Sequence, residues 1–330
     1  MRPPAFWYSA PDTPALLARV LSPLGVLYAN STARRLRQTG FTAKIPVICI
    51  GNLNAGGTGK TPTTIALIER LAQRGQTSVH VVSRGYGGAL AGPIRVDPLH
   101  HTAADTGDEP LLLAAFAPTW VAADRAAGVR EAEAAGATAI LLDDGFQNPS
   151  VTKTLSIIVV DAAHGFGNGR CIPAGPLREP VTTGLARADL LLSIGPPADQ
   201  ARFHAQWGSK ITLPHLTGHL APLKMGMDWH GLRTLAFAGI GHPEKFFATL
   251  RAEGAVLAAT VPLDDHQPLT NPLMQRLTAQ AKSLNAQLVT TEKDAIRLPE
   301  TYRSQVLTLP VRLQMQDWAA MDAALTKLGL

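Results

Sequence analysis

The strongest chemical signal in the sequence is a glycine-rich segment that ends in Gly59-Lys60-Thr61. It follows an apolar run and precedes apolar residues at helical spacing, so it joins a buried strand to a helix. In that context backbone N–H groups bind phosphate oxygens, the lysine reaches the β- and γ-phosphates, and the threonine hydroxyl binds Mg²⁺. The residues predicted to bind the nucleotide are Asn54, Ala55, Gly56, Gly57, Thr58, Gly59, Lys60 and Thr61.

The first position of this phosphate loop departs from the usual pattern, because Asn54 stands where glycine is typical. Asparagine adopts positive φ more readily than most residues, so we expect it to preserve the turn. The alternative is a glycine-rich turn that binds no nucleotide. The Gly-Lys-Thr ending between a strand and a helix favours nucleotide binding.

A second chemical signal is the carboxylate pair Asp143 and Asp144, which follows an apolar run. Carboxylates at a strand end beside a phosphate loop hold Mg²⁺ or its water ligands. We therefore predict a metal site formed by Thr61, Asp143 and Asp144, against the alternative of a merely polar strand end. These residues imply ATP or GTP together with Mg²⁺, and the absence of an Asn-Lys-x-Asp motif for reading guanine favours ATP.

A parallel sheet is needed to bring these residues together. From residue 45 onward, runs of Val, Ile and Leu alternate with helical patterns, which is typical of strands buried on both faces. We predict an α/β, P-loop NTPase-like fold with a mostly parallel, doubly wound sheet. The predicted strands are 45–50, 79–83, 119–123, 138–142, 155–161 and 189–194.

The pattern changes after residue 195, where a Trp-, His- and Pro-rich stretch lacks a strand–helix rhythm. A second α/β series follows, with predicted strands at 232–240, 255–263 and 287–291 and helices at 243–253 and 272–285. The predicted organisation is an amphipathic N-terminal segment at 1–44, a P-loop domain at 45–210, a linker at 211–231 and a smaller α/β lobe at 232–330.

The net charge of +5 comes from 30 Lys and Arg against 25 Asp and Glu, and its distribution is uneven. Residues 1–44 hold one acid, Asp12, and the basic residues Arg2, Arg19, Arg34, Arg35, Arg37 and Lys44. The rest of the chain is balanced, so no cationic surface for nucleic acid is expected.

The N-terminal segment has one apolar helical face, interrupted at Pro23 and Gly25. This face is formed by Leu16, Leu17, Val20, Leu21, Leu24, Leu27 and Tyr28. A helix of about 22 Å is shorter than the roughly 30 Å hydrocarbon core, so we expect it to lie on a membrane surface, aided by the arginines that follow. The alternative is that the apolar face packs on the body of the protein.

Cysteine and histidine spacing argues against other metal or disulfide sites. Cys49 and Cys171 lie far apart, and no HExxH or paired CxxC pattern is present. We therefore expect no disulfide and no structural zinc site, and Mg²⁺ is the metal predicted. No secretory signal pattern is visible, which favours the cytoplasmic side of the membrane.

Several segments of the chain resemble the tetraacyldisaccharide 4′-kinases, the lipid A 4′-kinases of Gram-negative bacteria, in sequence, order and spacing. They are GNL at 51–53, GGTGKTP at 56–62, SRGYG at 83–87, GDEP at 107–110, DDGFQ at 143–147, GFGNGR at 165–170, PAGPLREP at 173–180 and TTEKDA at 290–295. The resemblance implies transfer of the γ-phosphate of ATP to the 4′-hydroxyl of a tetraacylated glucosamine disaccharide 1-phosphate, which yields lipid IVA. It also implies a peripheral enzyme on the cytoplasmic face of the bacterial inner membrane.

The resemblance also assigns roles to individual residues. Asp108 matches the family's catalytic carboxylate, and His266 matches the histidine that pairs with it from the second lobe; Lys60 completes the catalytic set. A carboxylate can accept the proton of an attacking alcohol, and lobe closure could assemble the pair. Taken alone, Gly-Asp-Glu-Pro is also a common helix start.

Six further residues match the family's active-site cleft and are expected to bind the substrates: Arg84, Tyr86, Arg125, Gln147, Arg178 and Glu179. Arginine suits phosphate recognition, whereas Arg178 and Glu179 could instead form a structural ion pair. The family usually has His where this chain has Asn148. Because asparagine cannot carry charge, no proton-transfer role is expected there.

Two other functional classes fit parts of the sequence. A membrane-associated, partitioning-type P-loop ATPase is one, but that class carries a lysine at the start of its loop, where this chain has Asn54-Ala55. A lipid-binding module with a vestigial phosphate loop is the other. The retained Lys60 and Thr61, with the carboxylate pair, argue against it.

Overall fold

The computed structural model describes residues 3–330. Met1 and Arg2, which belong to the predicted N-terminal segment, lie outside the described residues. The strands are β1 (Val47–Gly51), β2 (Val79–Ser83), β3 (Ile94–Arg95), β4 (Thr119–Val121), β5 (Ala139–Asp143), β6 (Leu155–Asp161), β7 (Leu190–Ile194), β8 (His215–Pro222), β9 (Arg233–Ala238), β10 (Val256–Pro262), β11 (Gln287–Thr291), β12 (Val306–Leu309) and β13 (Val311–Met315). The helices are α1 (Leu16–Arg35), α2 (Lys60–Gln73), α3 (Ala103–Thr106), α4 (Asp108–Leu113), α5 (Arg125–Ala134), α6 (Val181–Leu185), α7 (Pro197–Trp207), α8 (Pro243–Ala252), α9 (Asn271–Ser283), α10 (Glu292–Ala295), α11 (Glu300–Arg303) and α12 (Ala319–Lys327).

The larger sheet has nine strands in the order β13-β8-β7-β6-β1-β5-β2-β4-β3. Its inner pairs are parallel, and the two outermost pairs, β13 with β8 and β3 with β4, are antiparallel. The sheet confirms the predicted α/β, P-loop NTPase-like class. Strand β1 lies between β5 and β6, and Ile50 pairs with Asp143. The carboxyl ends of β1 and β5 therefore deliver the phosphate loop and the carboxylate pair to one place.

Helix α2 covers one face of this sheet because its apolar residues recur at helical spacing. Ile65, Leu67 and Leu71 are at most 2% exposed and belong to a core that also contains Leu141 and Ile157. Burying one such side chain stabilises the fold by about 1.5–3 kcal/mol. This packing fixes the direction of α2, and with it the position of the phosphate loop at its N-terminus.

The predicted linker at 211–231 and the predicted extent of the C-terminal lobe to residue 330 are wrong. Residues 211–231 contain β8, and residues 311–330 contain β13 and α12, which all belong to the large sheet and its core. The sequence of β8 alternates buried and part-exposed residues before its exposed end, and β13 is a short edge strand. Neither has the continuous apolar run by which the inner strands were predicted.

The smaller sheet is parallel throughout, in the order β10-β9-β11-β12. Its strands and the helices α8 and α9 confirm the second α/β series predicted from residue 232 to 291, within one or two residues at most ends. Phe237 and Phe247 are fully buried on opposite sides of this sheet. The C-terminal lobe thus has its own core.

Helix α1 turns its small residues, not its leucines, toward the body of the protein. Ala18, Gly25 and Thr32 are buried at intervals of seven residues, and a Cβ on Gly25 would lie 2.8 Å from the backbone oxygen of Cys171. The helix runs unbroken through Pro23 for 20 residues, about 30 Å, and is longer than predicted. Among residues 3–330, no helix combines the length and apolarity needed to cross a membrane.

Candidate functional site

The phosphate loop is anchored by Asn52, which lies just before it. The amide nitrogen of Asn52 donates to the backbone oxygen of Gly56 at 3.0 Å and to the hydroxyl of Thr58 at 3.2 Å. Gly56 and Gly59 have φ values of 120° and 97°, which glycine adopts without strain. A Cβ on Gly59 would also lie 2.6 Å from Cδ1 of Ile194, whereas one on Gly57 would meet no atom within 4 Å.

Asn54 serves the loop differently from our prediction. It is not among the residues with positive φ; it forms an isolated bridge with Leu177, and its side chain is buried. Its amide nitrogen donates to the backbone oxygen of Gly165 at 3.0 Å. Asn54 therefore anchors the loop to the neighbouring segment 165–177, where glycine could not.

The two predicted metal carboxylates have different partners. Oδ1 of Asp144 lies 2.7 Å from Arg178 and 3.7 Å from Nζ of Lys60, so two cations already balance this carboxylate. Asp143 is 1% exposed; its Oδ2 accepts from Ser83 at 3.2 Å, and its Oδ1 has no hydrogen-bond partner among residues 3–330. Burial is the largest cause that raises the pKa of Asp143, and the nearby Glu109 carboxylate is the second; together they bring it to about 7.

The structure brings Asp108 and His266 into direct contact across the two lobes. Oδ2 of Asp108, at the start of α4, lies 2.9 Å from Nδ1 of His266. Asp108 is 4% exposed, while the side chain of His266 is 35% exposed and forms the accessible half of the pair. The ring of Tyr86 lies edge-on to His266 with the ring centroids 6.2 Å apart.

Each residue of this pair shifts the pKa of the other. Burial alone would raise the pKa of Asp108, but the hydrogen bond from His266, with Lys293 and Arg297 nearby, holds it below its ordinary value. The same hydrogen bond raises the pKa of His266, against opposing effects of burial and Lys293. The arrangement therefore favours an ionised Asp108 and makes the His266 imidazole a stronger proton acceptor.

The loop that carries His266 is fixed by residues of the C-terminal lobe. His266 has φ 58°, and its N–H donates to the backbone oxygen of Gly239 at 3.1 Å. Arg297 donates to the backbone oxygens of Gly239 and Gln267, each at 3.0 Å, and pairs with the fully buried Asp294. This network holds a left-handed backbone that a free histidine would rarely adopt.

A cavity of about 1820 Å³ between the lobes joins most of the predicted site residues. Its lining includes Ala55, Gly56, Gly57, Thr58, Gly59, Lys60, Thr61, Arg84, Tyr86, Arg125, Asp143, Asp144, Gln147, Arg178 and His266. Asn54, Asp108 and Glu179 are buried outside this lining. Asp108 therefore lies behind His266 rather than on the cavity wall.

Arg178 and Glu179 do not pair with each other. Arg178 binds Asp144, whereas both oxygens of Glu179 accept from Arg187 at 2.7 Å. Gln147 donates to Glu179 at 3.0 Å and to the backbone oxygen of Asn52 at 2.8 Å. Gln147 thus connects the loop after β5 to Asn52, just before the phosphate loop, and to Glu179.

Lys293 is the main site residue absent from our predicted set. Its Nζ lies 3.1 Å from Oε1 of Glu109 and 3.4 Å from Nε2 of His266, so it contacts both lobes. It belongs to the TTEKDA segment that carries part of the family resemblance. The signal was in the sequence, but the residue's position against His266 depends on how the lobes pack.

The family model described as tetraacyldisaccharide-1-P 4′-kinase matches residues 17–329. A tetraacyldisaccharide 4′-kinase of Dinoroseobacter shibae is 66% identical over 99% of this chain and 98% of its own length. One from Jannaschia sp. is 59% identical over 99% of each. The solved structure of LpxK from Aquifex aeolicus in complex with ATP shares the fold, with a TM-score of 0.74 at 22% identity, covering 95% of this chain and 99% of that one.

Proposed function

This chain belongs to the tetraacyldisaccharide-1-P 4′-kinase family, and from that premise we propose that it transfers the γ-phosphate of ATP to the 4′-hydroxyl of a tetraacylated glucosamine disaccharide 1-phosphate, forming lipid IVA. The observation that carries the proposal is the interlobe cavity, whose wall contains both the phosphate loop and His266. A phosphate donor and a proton acceptor therefore face one space, as direct transfer requires.

The phosphate loop would hold the nucleotide. The backbone N–H groups of residues 55–60 lie at the N-terminus of α2, where the helix dipole favours anions. Gly57 leaves the space above the loop open, and Lys60 reaches into the cavity from the first turn of α2. Asp144 lies 3.7 Å from Lys60 and would keep this lysine near the phosphate position.

The residues fit a magnesium ion. Oδ1 of Asp143 is a buried carboxylate oxygen without a partner among residues 3–330, and the Thr61 side chain lines the same cavity. These hard oxygen ligands suit Mg²⁺, which would neutralise charge on the β- and γ-phosphates. We assign Asp143 and Thr61 to the metal, with Asp144 mainly orienting Lys60 and Arg178.

The Asp108–His266 pair would take the proton of the attacking hydroxyl. His266 is on the cavity wall, and Asp108 behind it supplies the negative charge that stabilises a proton on the imidazole. Lys293 and Glu109 bridge the same junction at 3.1 Å. If Asp108 and Glu109 served only to begin helix α4, they would need no partners from the C-terminal lobe.

Arginine and tyrosine side chains at the cavity are available for the phosphates and the sugar. Arg84 and Tyr86 are exposed at its mouth. Buried Arg125 donates to the backbone oxygen of Asp144 at 3.1 Å, and its Nε has no hydrogen-bond partner among the residues described. We assign these three to substrate binding with Arg178, and assign Gln147 and Glu179 to positioning the loops.

The enzyme would act at the inner-membrane surface on the cytoplasmic side. Leu16, Val20 and Leu27 of α1 are 76%, 64% and 65% exposed, although they are large and apolar. Tyr28 and Arg35 of the same helix line the interlobe cavity. A lipid whose acyl chains stay in the membrane beside α1 could thus present its sugar to the phosphate loop.

A transfer assay tests the proposed function. Purified full-length enzyme should move label from γ-labelled ATP to tetraacyldisaccharide 1-phosphate in mixed micelles. Lys60→Ala should lower kcat about 100-fold or more by removing transition-state charge stabilisation. Lys282→Ala, exposed on α9, is the matched control and should leave transfer unchanged. If the wild-type enzyme transfers no label to the lipid, the proposal is overturned. ATP-dependent dimerisation without transfer would favour the partitioning-type switch.

A further inference from the structure

A second group of potential metal ligands lies at the lobe junction, apart from the carboxylates beside the phosphate loop. Asp161 ends β6, His164 follows it by three residues, and His242 directly precedes α8 in the C-terminal lobe. One ligand atom of each lies within 4.8 Å of those of the other two. Because His242 is remote in sequence, no ligand spacing of the usual kind reveals this group.

A cation already occupies the carboxylate of this group. Asp161 is 8% exposed, and its Oδ2 lies 2.6 Å from Nζ of Lys245 on α8. The Lys245 side chain is 52% exposed, so it can leave for solvent when another cation binds. A buried carboxylate at this point therefore needs a positive partner but does not depend on that particular lysine.

Both histidines can present ring nitrogens to a metal. Their rings are stacked, with centroids 4.4 Å apart and planes inclined by 18°. His242 precedes α8 without capping it through its side chain, so the ring is not committed to the helix. His164 contacts Oδ2 of Asp161 through Nδ1 at 3.1 Å.

The donor set selects the class of metal. Two imidazoles and one carboxylate suit Zn²⁺, Co²⁺ or Ni²⁺, whereas Mg²⁺ prefers oxygen ligands only. Zinc bonds of about 2.0–2.2 Å bring tetrahedral ligand atoms to about 3.3 Å from one another. Because the ligand atoms lie within 4.8 Å of one another, they need to close in by at most about 1.5 Å, which the part-exposed ring of His242 allows by tilting.

We propose that Asp161, His164 and His242 form a transition-metal site that links the two lobes at the interlobe cavity. Asp161 and His164 belong to the large domain and His242 to the C-terminal lobe, so a bound ion cross-links them. Asp161, His242 and Lys245 also line the interlobe cavity. An ion there restrains the separation of the phosphate loop from the Asp108–His266 junction.

Cobalt binding to the full-length, untagged protein tests the site. Equilibrium dialysis and visible absorption are measured with Co²⁺ in excess Mg²⁺, which occupies oxygen-only sites. The variants are His164→Ala, His242→Ala and Lys245→Met. The matched control is His100→Ala, because exposed His100 pairs with Asp97 at 2.7 Å but belongs to no group of three potential ligands among residues 3–330.

We expect one Co²⁺ per chain with the intense absorption of tetrahedral nitrogen ligation. Each site histidine variant should weaken binding by more than about tenfold, since each removes a ligand. Lys245→Met should strengthen binding, and His100→Ala should leave it unchanged. Equal affinity of His164→Ala, His242→Ala and wild type would overturn the site, and so would an octahedral spectrum insensitive to all three variants. Circular dichroism of each variant verifies that it is folded.

Discussion

Nδ1 of His266 lies 2.9 Å from Oδ2 of Asp108, although 158 residues separate them along the chain. The contact joins the N-terminus of α4 to a loop of the C-terminal lobe. In the proposed mechanism it couples proton transfer to the packing of the two lobes, because Asp108 is buried and His266 is the accessible half of the pair.

This pairing predicts non-additive loss of activity. Asp108→Asn should lower kcat about 100-fold or more, as expected for loss of general-base catalysis. His266→Ala should cause a similar loss, and the double variant should be little worse than either. Glu131→Gln, an exposed carboxylate change on α5, is the control. A double-mutant cycle of labelled-phosphate transfer measures this. If the fold losses in kcat of the two single variants multiply in the double variant, the two residues act separately.

The raised pKa of His266 predicts how stability depends on pH. Its stabilising effect is fully present below the pKa of an unfolded histidine and is lost as pH rises through the higher folded value. The wild type should therefore lose more thermal stability between pH 6 and 9 than His266→Gln does. Equal changes in Tm for the two proteins would argue against a charged pair.

Asp143 predicts a pH dependence of Mg²⁺ binding. With its pKa raised to about 7 by burial, this carboxylate is mostly protonated at pH 6, and the metal must displace the proton. Between pH 6 and 8 the apparent Mg²⁺ affinity should rise about tenfold, following the ionised fraction. Calorimetric titration with an ATP analogue measures this. Asp143→Asn should abolish the pH dependence and Glu131→Gln should keep it; a flat wild-type profile would remove Asp143 from the metal site.

The phosphate-loop glycines should separate folding from nucleotide binding. Gly59→Ala places a methyl group 2.6 Å from Ile194 at φ 97°, and such strain costs about 1–3 kcal/mol of stability. Gly57→Ala meets no atom within 4 Å, so its Tm should be unchanged while its KM for ATP rises. Thermal melts and transfer kinetics give the two readouts. A normal KM for Gly57→Ala would mean that phosphate does not occupy the space above that residue.

The exposed leucines of α1 predict membrane binding without a role in folding. Leu24 and Leu27 are 51% and 65% exposed, so replacing both by Ser should leave Tm unchanged. Sedimentation with anionic liposomes should fall about tenfold or more, because each buried leucine contributes about 1.5–3 kcal/mol. Val256→Ser, a 45% exposed apolar residue of the C-terminal lobe, is the control. Equal sedimentation of all three proteins would exclude α1 as the docking surface.

Apolar periodicity predicted the inner strands well, since strands buried on both faces leave an unbroken apolar run. It missed β3, β8, β12 and β13, which lack a continuous run of buried residues. The phosphate loop and Asp143 followed from local spacing, because each lies next to its strand. The Asp108–His266 pair came from family resemblance, and the contacts of Lys293 and His242 depend on lobe packing that no local pattern encodes.

The pairing of β8 with β13 has a consequence for the ancestry and engineering of the fold. Val311 is opposite Pro222, and the next N–H along the chain, that of Leu223, donates to the backbone oxygen of Pro310 at 2.9 Å. The whole C-terminal lobe, residues 223–310, is thus an insertion at the tip of one antiparallel hairpin. Replacing it by a two-residue turn should leave a continuous nine-stranded domain, a minimal nucleotide-binding scaffold from which the lobe can be removed and to which other lobes can be grafted.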